Sequence, residues 1–336
     1  MKLLFELSRE HDSLPYDEVL STLGAEKIKF RCIEKTNNVV VLDTNIKDIY
    51  KVYKIGKRLS LSYFINEYFF SCGTSIKDIQ QNMLSHKIDE KGSIAIHYKN
   101  RSKKINSKKI LDIVAKFYSE NRLVDLKNPK ITIRILIEDE KIFIGKKLIE
   151  INRSEFEKRK AHYRPYFSPI SMHPKIARAL VNLSLIKKND VLLDPFCGTG
   201  GILIEAGLIG AKIIGSDIEK KMIDGCKKNL DFYNIKDYQL FCCDISKIKN
   251  FVNSVDTIVT DLPYGTSTTT KGEKIISLYD RSFKIMNEIL KDGGHLVIGI
   301  SNENILSLLD KYFSMTKVHR YRVHRSLTRF FAILSK

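Results

Sequence analysis

Short apolar runs separated by charged and turn-forming residues mark the first 151 positions. The runs at 3–7, 28–33 and 39–42 predict strands, and the segment around 16–23 predicts a helix. Beyond position 55 the pattern continues with helices over 75–84 and 110–118. Strands are expected over 94–98, 131–138 and 141–144. Two small α+β pieces result, at 1–54 and 55–151. Residues 152–172 are rich in charge and proline and read as a linker.

The texture changes at Pro174, which stands where a first helical turn would begin, ahead of the amphipathic stretch 176–185. Strand-sized apolar runs (191–193, 212–216, 239–242, 257–260, 295–300) then alternate with helical ones (202–208, 222–232, 278–290). This rhythm over 173–336 predicts a doubly wound parallel sheet. Between "YFSMTKVHRYRVH" and "TRFFAILSK" there is no helical stretch, so a terminal antiparallel hairpin is expected at a sheet edge.

Charge adds a partner to this picture. The 336 residues carry a formal charge of +18, with 33 basic against 22 acidic residues up to Ile170 and 24 against 17 after it. A surplus on both halves favours a polyanion, against the plainer reading of a lysine-rich, well-solvated surface. No apolar stretch reaches the ~20 residues of a spanning helix. The opening MKLLFELSRE reads as a strand and not a signal peptide. The six cysteines contain no C-x-x-C pair, so neither zinc nor a redox motif is indicated, and a reducing cytoplasm is expected.

The stretch "VLLDPFCGTGG" is a strand, a carboxylate and a glycine-rich turn into a helix. Gly198, Gly200 and Gly201 permit conformations and close approach that a Cβ would block. The pattern is neither G-x-G-x-x-G nor a phosphate loop. Asp194 at its head would repel a diphosphate and suit a cationic or amino-bearing ligand. Asp217 ends the next strand 23 positions on, near the ~20 at which a Rossmann acid reaches ribose hydroxyls. Asp244 ends the strand after that. S-adenosylmethionine fits this crevice, with Asp194, Phe196, Cys197, Gly198, Thr199 and Gly200 near its charged end. Asp217 and Ile218 would meet the ribose, and Asp244 and Ile245 the adenine. Each feature alone has a plainer reading, as a tight turn or a helix cap, but the ordered set is harder to obtain by accident. Cys197 is expected to pack.

A fourth strand ends in "TDLPYG", positions 260–265. An aryl exocyclic amine is a poor nucleophile, because its lone pair is delocalised into the ring. Its two hydrogens need acceptors if the nitrogen is to pyramidalise. Asp261 supplies one, the carbonyl of Leu262, held by Pro263, supplies another, and Tyr264 offers a face for the base to stack on. Cytosine C5 chemistry, which needs a thiol nucleophile, is disfavoured.

Together "DPFCGTGGILIEAGLIGAKIIGSDI", "TDLPYGTST", "HRSLTR" and "RPYFSPISMHPKIARALVNLS" resemble the archaeal tRNA guanosine-10 N2-methyltransferase family. The resemblance is strong from about Arg164 to Arg329, and earlier it is one of element order. It implies a class I, Rossmann-like methyltransferase fold preceded by a ferredoxin-like piece and a THUMP RNA-binding domain. It also implies S-adenosylmethionine as cofactor, tRNA as partner, and a methyl group placed on N2 of guanosine 10. Asp194, Gly198, Gly200, Asp217 and Asp244 match the family's cofactor positions. Asp261, Pro263 and Tyr264 match its catalytic motif. Leu262 departs from the usual proline, which keeps the carbonyl but softens the loop.

The basic run Lys99, Arg101, Lys103, Lys104, Lys108 and Lys109 is expected on the RNA surface, with a solvated loop as the alternative. His324, Arg325 and Arg329 are expected to contact phosphates, with a plain hairpin turn as the alternative. Guanosine 6 of tRNA, a ribosomal guanosine, DNA adenine N6 and a non-catalytic RNA-binding subunit stay open. So do target multiplicity and a small partner subunit.

Overall fold

The computed structural model describes residues 1–169, 171–263, 274–324 and 327–336. They form two compact units, one of residues 1–8, 28–57 and 62–151, the other of residues 9–27, 58–61 and 152–336.

In chain order the first part of the polypeptide supplies β1 (Lys2–Leu7), α1 (Leu14–Ala25), β2 (Phe30–Lys35), β3 (Val39–Thr44) and α2 (Ile49–Arg58). It continues with β4 (Ser62–Gly73), α3 (Ile76–Leu84), β5 (Ile94–Asn100), α4 (Ser107–Tyr118), β6 (Ile131–Ile137) and β7 (Lys141–Glu150). The strands form one mixed sheet, ordered β2-β3-β1-β4-β7-β6-β5. Its neighbours run antiparallel except β5 and β6. Ile79, Ile110 and Val114 cover it by packing against Ile131, Ile133, Ile135 and Ile144.

Two elements here escape the hydrophobic pattern. β4 is half-buried along most of its length, so no clean alternation marks it. In α2, lysines and tyrosines fill the outer face and leave Val52, Ile55 and Gly56 to point inward. The break expected near residue 54 falls inside α2. One sheet runs past it, because β1 pairs with β4 through Leu4 and Asn66.

The remaining chain forms α5 (Ser154–Lys158), α6 (Pro174–Leu183), β8 (Val191–Asp194), α7 (Gly201–Leu208), β9 (Lys212–Asp217), α8 (Lys220–Phe232) and β10 (Tyr238–Cys242). It ends with β11 (Val255–Asp261), α9 (Ile275–Ile289), β12 (Leu290–Ile300), α10 (Leu306–Leu309), β13 (Ser314–His324) and β14 (Leu327–Ser335). The sheet order is β10-β9-β8-β11-β12-β14-β13. The first five are parallel, and β14 and β13 close the edge as an antiparallel hairpin. One face is covered by an apolar layer including Ala177, Leu180 and Leu203, the other by one including Ile248, Phe283 and Met286. Strand order reverses between β8 and β11. In an open α/β sheet that reversal opens a crevice at the strand C-termini, here marked by Asp194 and Asp261.

The segment read as a linker is part of this unit. Phe156 is buried, with the Arg159 guanidinium 4.6 Å above its ring. Arg159 donates to Glu205 at 2.8 and 3.1 Å, and Arg178 pairs with the same carboxylate at 2.8 Å. Glu205 is fully buried on α7. Leaving a charge alone in such a place costs about 3–5 kcal/mol, so Arg159 is held against α7 and anchors its segment to the unit. α1 is drawn in similarly. Its buried Glu18 accepts hydrogen bonds from the backbone of Ser60 and Leu61 and from Asn182 of α6.

Candidate active site

The turn after β8 is shaped by two left-handed glycines, Gly198 (φ +50°) and Gly200 (φ +84°). A Cβ on Gly200 would stand 2.7 Å from Cys226 Sγ. Asp217, at the end of β9, fastens this turn. One of its oxygens accepts from Gly198 N (3.0 Å) and the other from Glu219 N (2.9 Å). Asp194 is enclosed at the end of β8. Its Oδ1 accepts from the Thr260 hydroxyl at 2.7 Å and from Phe196 N at 3.2 Å.

Asp261 ends β11 beside Thr260. Arg329 Nη2 lies 3.0 Å from its Oδ2, while Oδ1 is buried with no hydrogen-bond partner among the described residues. The turn beyond is fixed from two sides. Leu262 N donates to Gly299 O at 3.0 Å, and the buried Tyr279 hydroxyl donates to Pro263 O at 2.5 Å. Burial raises the carboxyl pKa of Asp194 to about 7 and that of Asp261 to about 6, Arg329 partly offsetting the latter. Burial also pushes Asp217 upward, against its two backbone hydrogen bonds. Carboxylates under-neutralised at adjoining strand ends, beside a turn that admits close approach, fit a ligand bearing positive charge and hydroxyls.

Several expected residues stand elsewhere. Asp244 is committed to Arg281, in a paired contact at 2.6 and 2.9 Å, and to Ser246 N at 2.8 Å. Arg281 holds its carboxyl far below the usual range. Cys197 packs in the core, with its N–H donated to Ser216 O and its carbonyl accepting from Gly200 N. Its polar backbone serves the turn and not a ligand. The Ile245 side chain is likewise buried in the apolar layer. Phe196, Gly198 and Ile218 are half-buried, and Thr199 is buried with its hydroxyl 3.2 Å from that of Ser171.

Arg329 is the clearest departure. It is 7 % exposed and ion-paired with Asp261, so it faces that carboxylate and not the solvent. His324 is exposed, and Tyr264 and Arg325 lie outside the described residues. Lys99, Lys103, Lys104, Lys108 and Lys109 are exposed, whereas Arg101 is half-buried with its guanidinium 5.8 Å from the centre of the Tyr63 ring.

Gly299, Tyr279 and Thr260 were not singled out by sequence reasoning. A side chain at 299 would collide with Asp261 Oδ1, and the glycine in "HLVIGI" was the available signal. Among the described residues no group of three or more His, Cys, Asp or Glu could hold a metal ion, and no helix is long and apolar enough to cross a membrane.

A family model described as an RMKL-like methyltransferase domain matches residues 161–330. A DNA methylase model matches residues 68–228, a span that stops short of Asp261. A protein named tRNA (guanine(10)-N2)-dimethyltransferase from Methanothermobacter thermautotrophicus is 34% identical over 340 residues, covering 100% of both chains. One of the same name from Methanocaldococcus jannaschii is 33% identical over 361 residues, 99% of each chain. Among solved structures, TrmN from Thermus thermophilus has the same fold, with a TM-score of 0.58 at 18% identity and full coverage of both chains.

The raised pKa of Asp194 has a measurable consequence. The folded state holds its proton more tightly than the unfolded state, so the group's contribution to stability is full below about pH 4 and lost as pH rises through about 7. Asp194→Asn should therefore raise Tm at pH 8 and give a smaller gain at pH 5. Equal gains at both pH values would mean that the carboxyl titrates normally.

Proposed function

Because the chain belongs to the tRNA (guanine(10)-N2)-dimethyltransferase family, we propose that Asp261 receives the guanine N2 amine and that the turn after β8 receives the methyl donor. The protein is an S-adenosylmethionine-dependent enzyme that methylates the exocyclic N2 amine of guanosine 10 in tRNA. The observation that carries the site assignment is the buried Oδ1 of Asp261, which has no partner among the described residues, beside a turn fixed by Gly299 and Tyr279.

When bound, S-adenosylmethionine supplies a methyl group already activated on a sulfonium. Asp194 and Asp217 are the acids for its charged end and its ribose diol, with Gly198 and Gly200 leaving room for it. Asp244 serves this site through Arg281, by keeping the turn after β10 in place. Asp261 Oδ1 accepts one N2–H and turns the nitrogen lone pair out of the ring plane. The Leu262 carbonyl takes the other hydrogen, and Tyr264 gives the base a stacking face. Once nitrogen has gained the methyl group it is acidic, and Asp261 takes the released proton. After one transfer the amine keeps a single N–H, which Oδ1 alone can hold for a second transfer.

The first unit is the RNA-holding part, a ferredoxin-like and THUMP-type region. Its support is the basic loop: Lys99, Lys103, Lys104, Lys108 and Lys109 are exposed, and none pairs with a carboxylate among the described residues. A-form RNA hides its base edges, so this surface reads shape and phosphates. Exposed His324 fits the same backbone-contact role.

Unmodified tRNA incubated with labelled donor should yield N2-methylated guanosine mapping to position 10. Asp261→Asn should remove that product while S-adenosylhomocysteine binds calorimetrically as before. Retained turnover would remove Asp261 from the reaction, and a product at another position would overturn the target. Changing Lys103, Lys104, Lys108 and Lys109 together to Gln should flatten the slope of log tRNA affinity against log salt by about 3. An unaltered slope would take the loop off the RNA surface.

A further inference from the structure

The register of three strands explains how a distant arginine reaches the catalytic carboxylate. Asp261 on β11 lies beside Gly299 on β12, and Gly299 lies opposite Phe331 on β14. Arg329 is two residues from Phe331, so it points to the same face of the sheet. With a side chain at 299 the lane between Arg329 and Asp261 would be filled, since a Cβ there meets Oδ1 directly and comes within 3.4 Å of the Phe331 ring. Glycine keeps it open, and the guanidinium closes on Oδ2 at 3.0 Å.

We propose that Arg329 is a positioning residue, which grips Asp261 by Oδ2 so that Oδ1 alone is presented, as an ionised acceptor, to the substrate amine. This rests on the assignment of Asp261 to that amine. A carboxylate with both oxygens free could rotate and share its hydrogen bonds, whereas one oxygen tied to a planar fork fixes the direction of the other. Burying such a pair gives little net stability, because desolvating both ions offsets their attraction. The groups around Asp261 sharpen the need for a cation. Asp194 on β8, its own pKa raised to about 7, supplies no positive charge, and Tyr279 on α9, with its pKa pushed up to about 12 by burial, stays neutral. Among these only Arg329 favours the ionised form.

The test is the pH dependence of kcat/KM for unmodified tRNA in the full chain, for wild type, Arg329→Lys and Arg329→Gln. Asp261→Asn is run in parallel, and S-adenosylhomocysteine binding reports folding. Wild type should lose activity as pH falls through about 6. In Arg329→Gln this acid limb should move up by about 1–3 pH units, so that activity lost at pH 7 returns on the alkaline side, with KM for tRNA unchanged. Arg329→Lys should keep the limb near its wild-type place and lower kcat, because the charge survives and the fork does not.

An unmoved limb in Arg329→Gln with a raised KM for tRNA would make Arg329 a phosphate contact and overturn the proposal. Should Arg329→Gln fail to bind S-adenosylhomocysteine, Arg329→Lys decides: a raised KM at unchanged kcat overturns the proposal, a lowered kcat at unchanged KM supports it. An active Asp261→Asn would fail the underlying assignment instead, which keeps the two failures distinct.

Discussion

Everything at the crevice depends on carboxylates being held at the C-terminal ends of parallel strands, where the sheet reverses its order. Such strands are buried on both faces, so an acid at their end is drawn out of water and the fold must supply partners to offset that cost. Asp217 receives two backbone N–H groups, Asp194 a threonine hydroxyl and a backbone N–H, and Asp261 an arginine. The partners differ in kind, and so do the results. Asp217 locks the turn after β8, Asp194 stays poised near neutrality, and Asp261 keeps one oxygen unspent.

The same constraint makes the site depend on parts of the sheet that carry no chemistry themselves. The antiparallel hairpin of β13 and β14 completes the edge and also delivers Arg329 to Asp261. β12 contributes a missing side chain at Gly299 and a carbonyl for Leu262 N. Behind the turn, buried Glu205 on α7 gathers Arg159 and Arg178, which fixes the helix that the glycines lead into. The turn through Leu262 and Pro263 is tied from outside, by the Gly299 carbonyl and the Tyr279 hydroxyl.

The acids were legible in the sequence because each ends an apolar run followed by turn residues, a local signal. The alternation of β8 through β12 with helices was legible for the same reason. What stayed hidden depends on pairs far apart in the chain. Nothing near "HRSLTR" says that its second arginine turns inward, because that follows from β14 pairing with β12 and from Gly299 on β12, which leaves the lane to Asp261 open. Asp244 reads like its fellow strand-end acids, yet Arg281 on α9 takes its carboxylate. β4 was missed because it is half-buried along most of its length, which blurs the period of two, and α2 because its inward face is only Val52, Ile55 and a glycine.

The central claim is that Asp261 is ionised at neutral pH, with one oxygen held by Arg329 and the other open to an amine. Carbon-13 NMR of protein labelled at the aspartate carboxyl carbon, with the resonance identified by its loss in Asp261→Asn, tests this directly. The signal should titrate near pH 6, displaced from the ordinary carboxyl range by burial and restrained by the arginine. A carboxyl still protonated at pH 7.5, or one titrating near 4 like an exposed aspartate, would contradict the account.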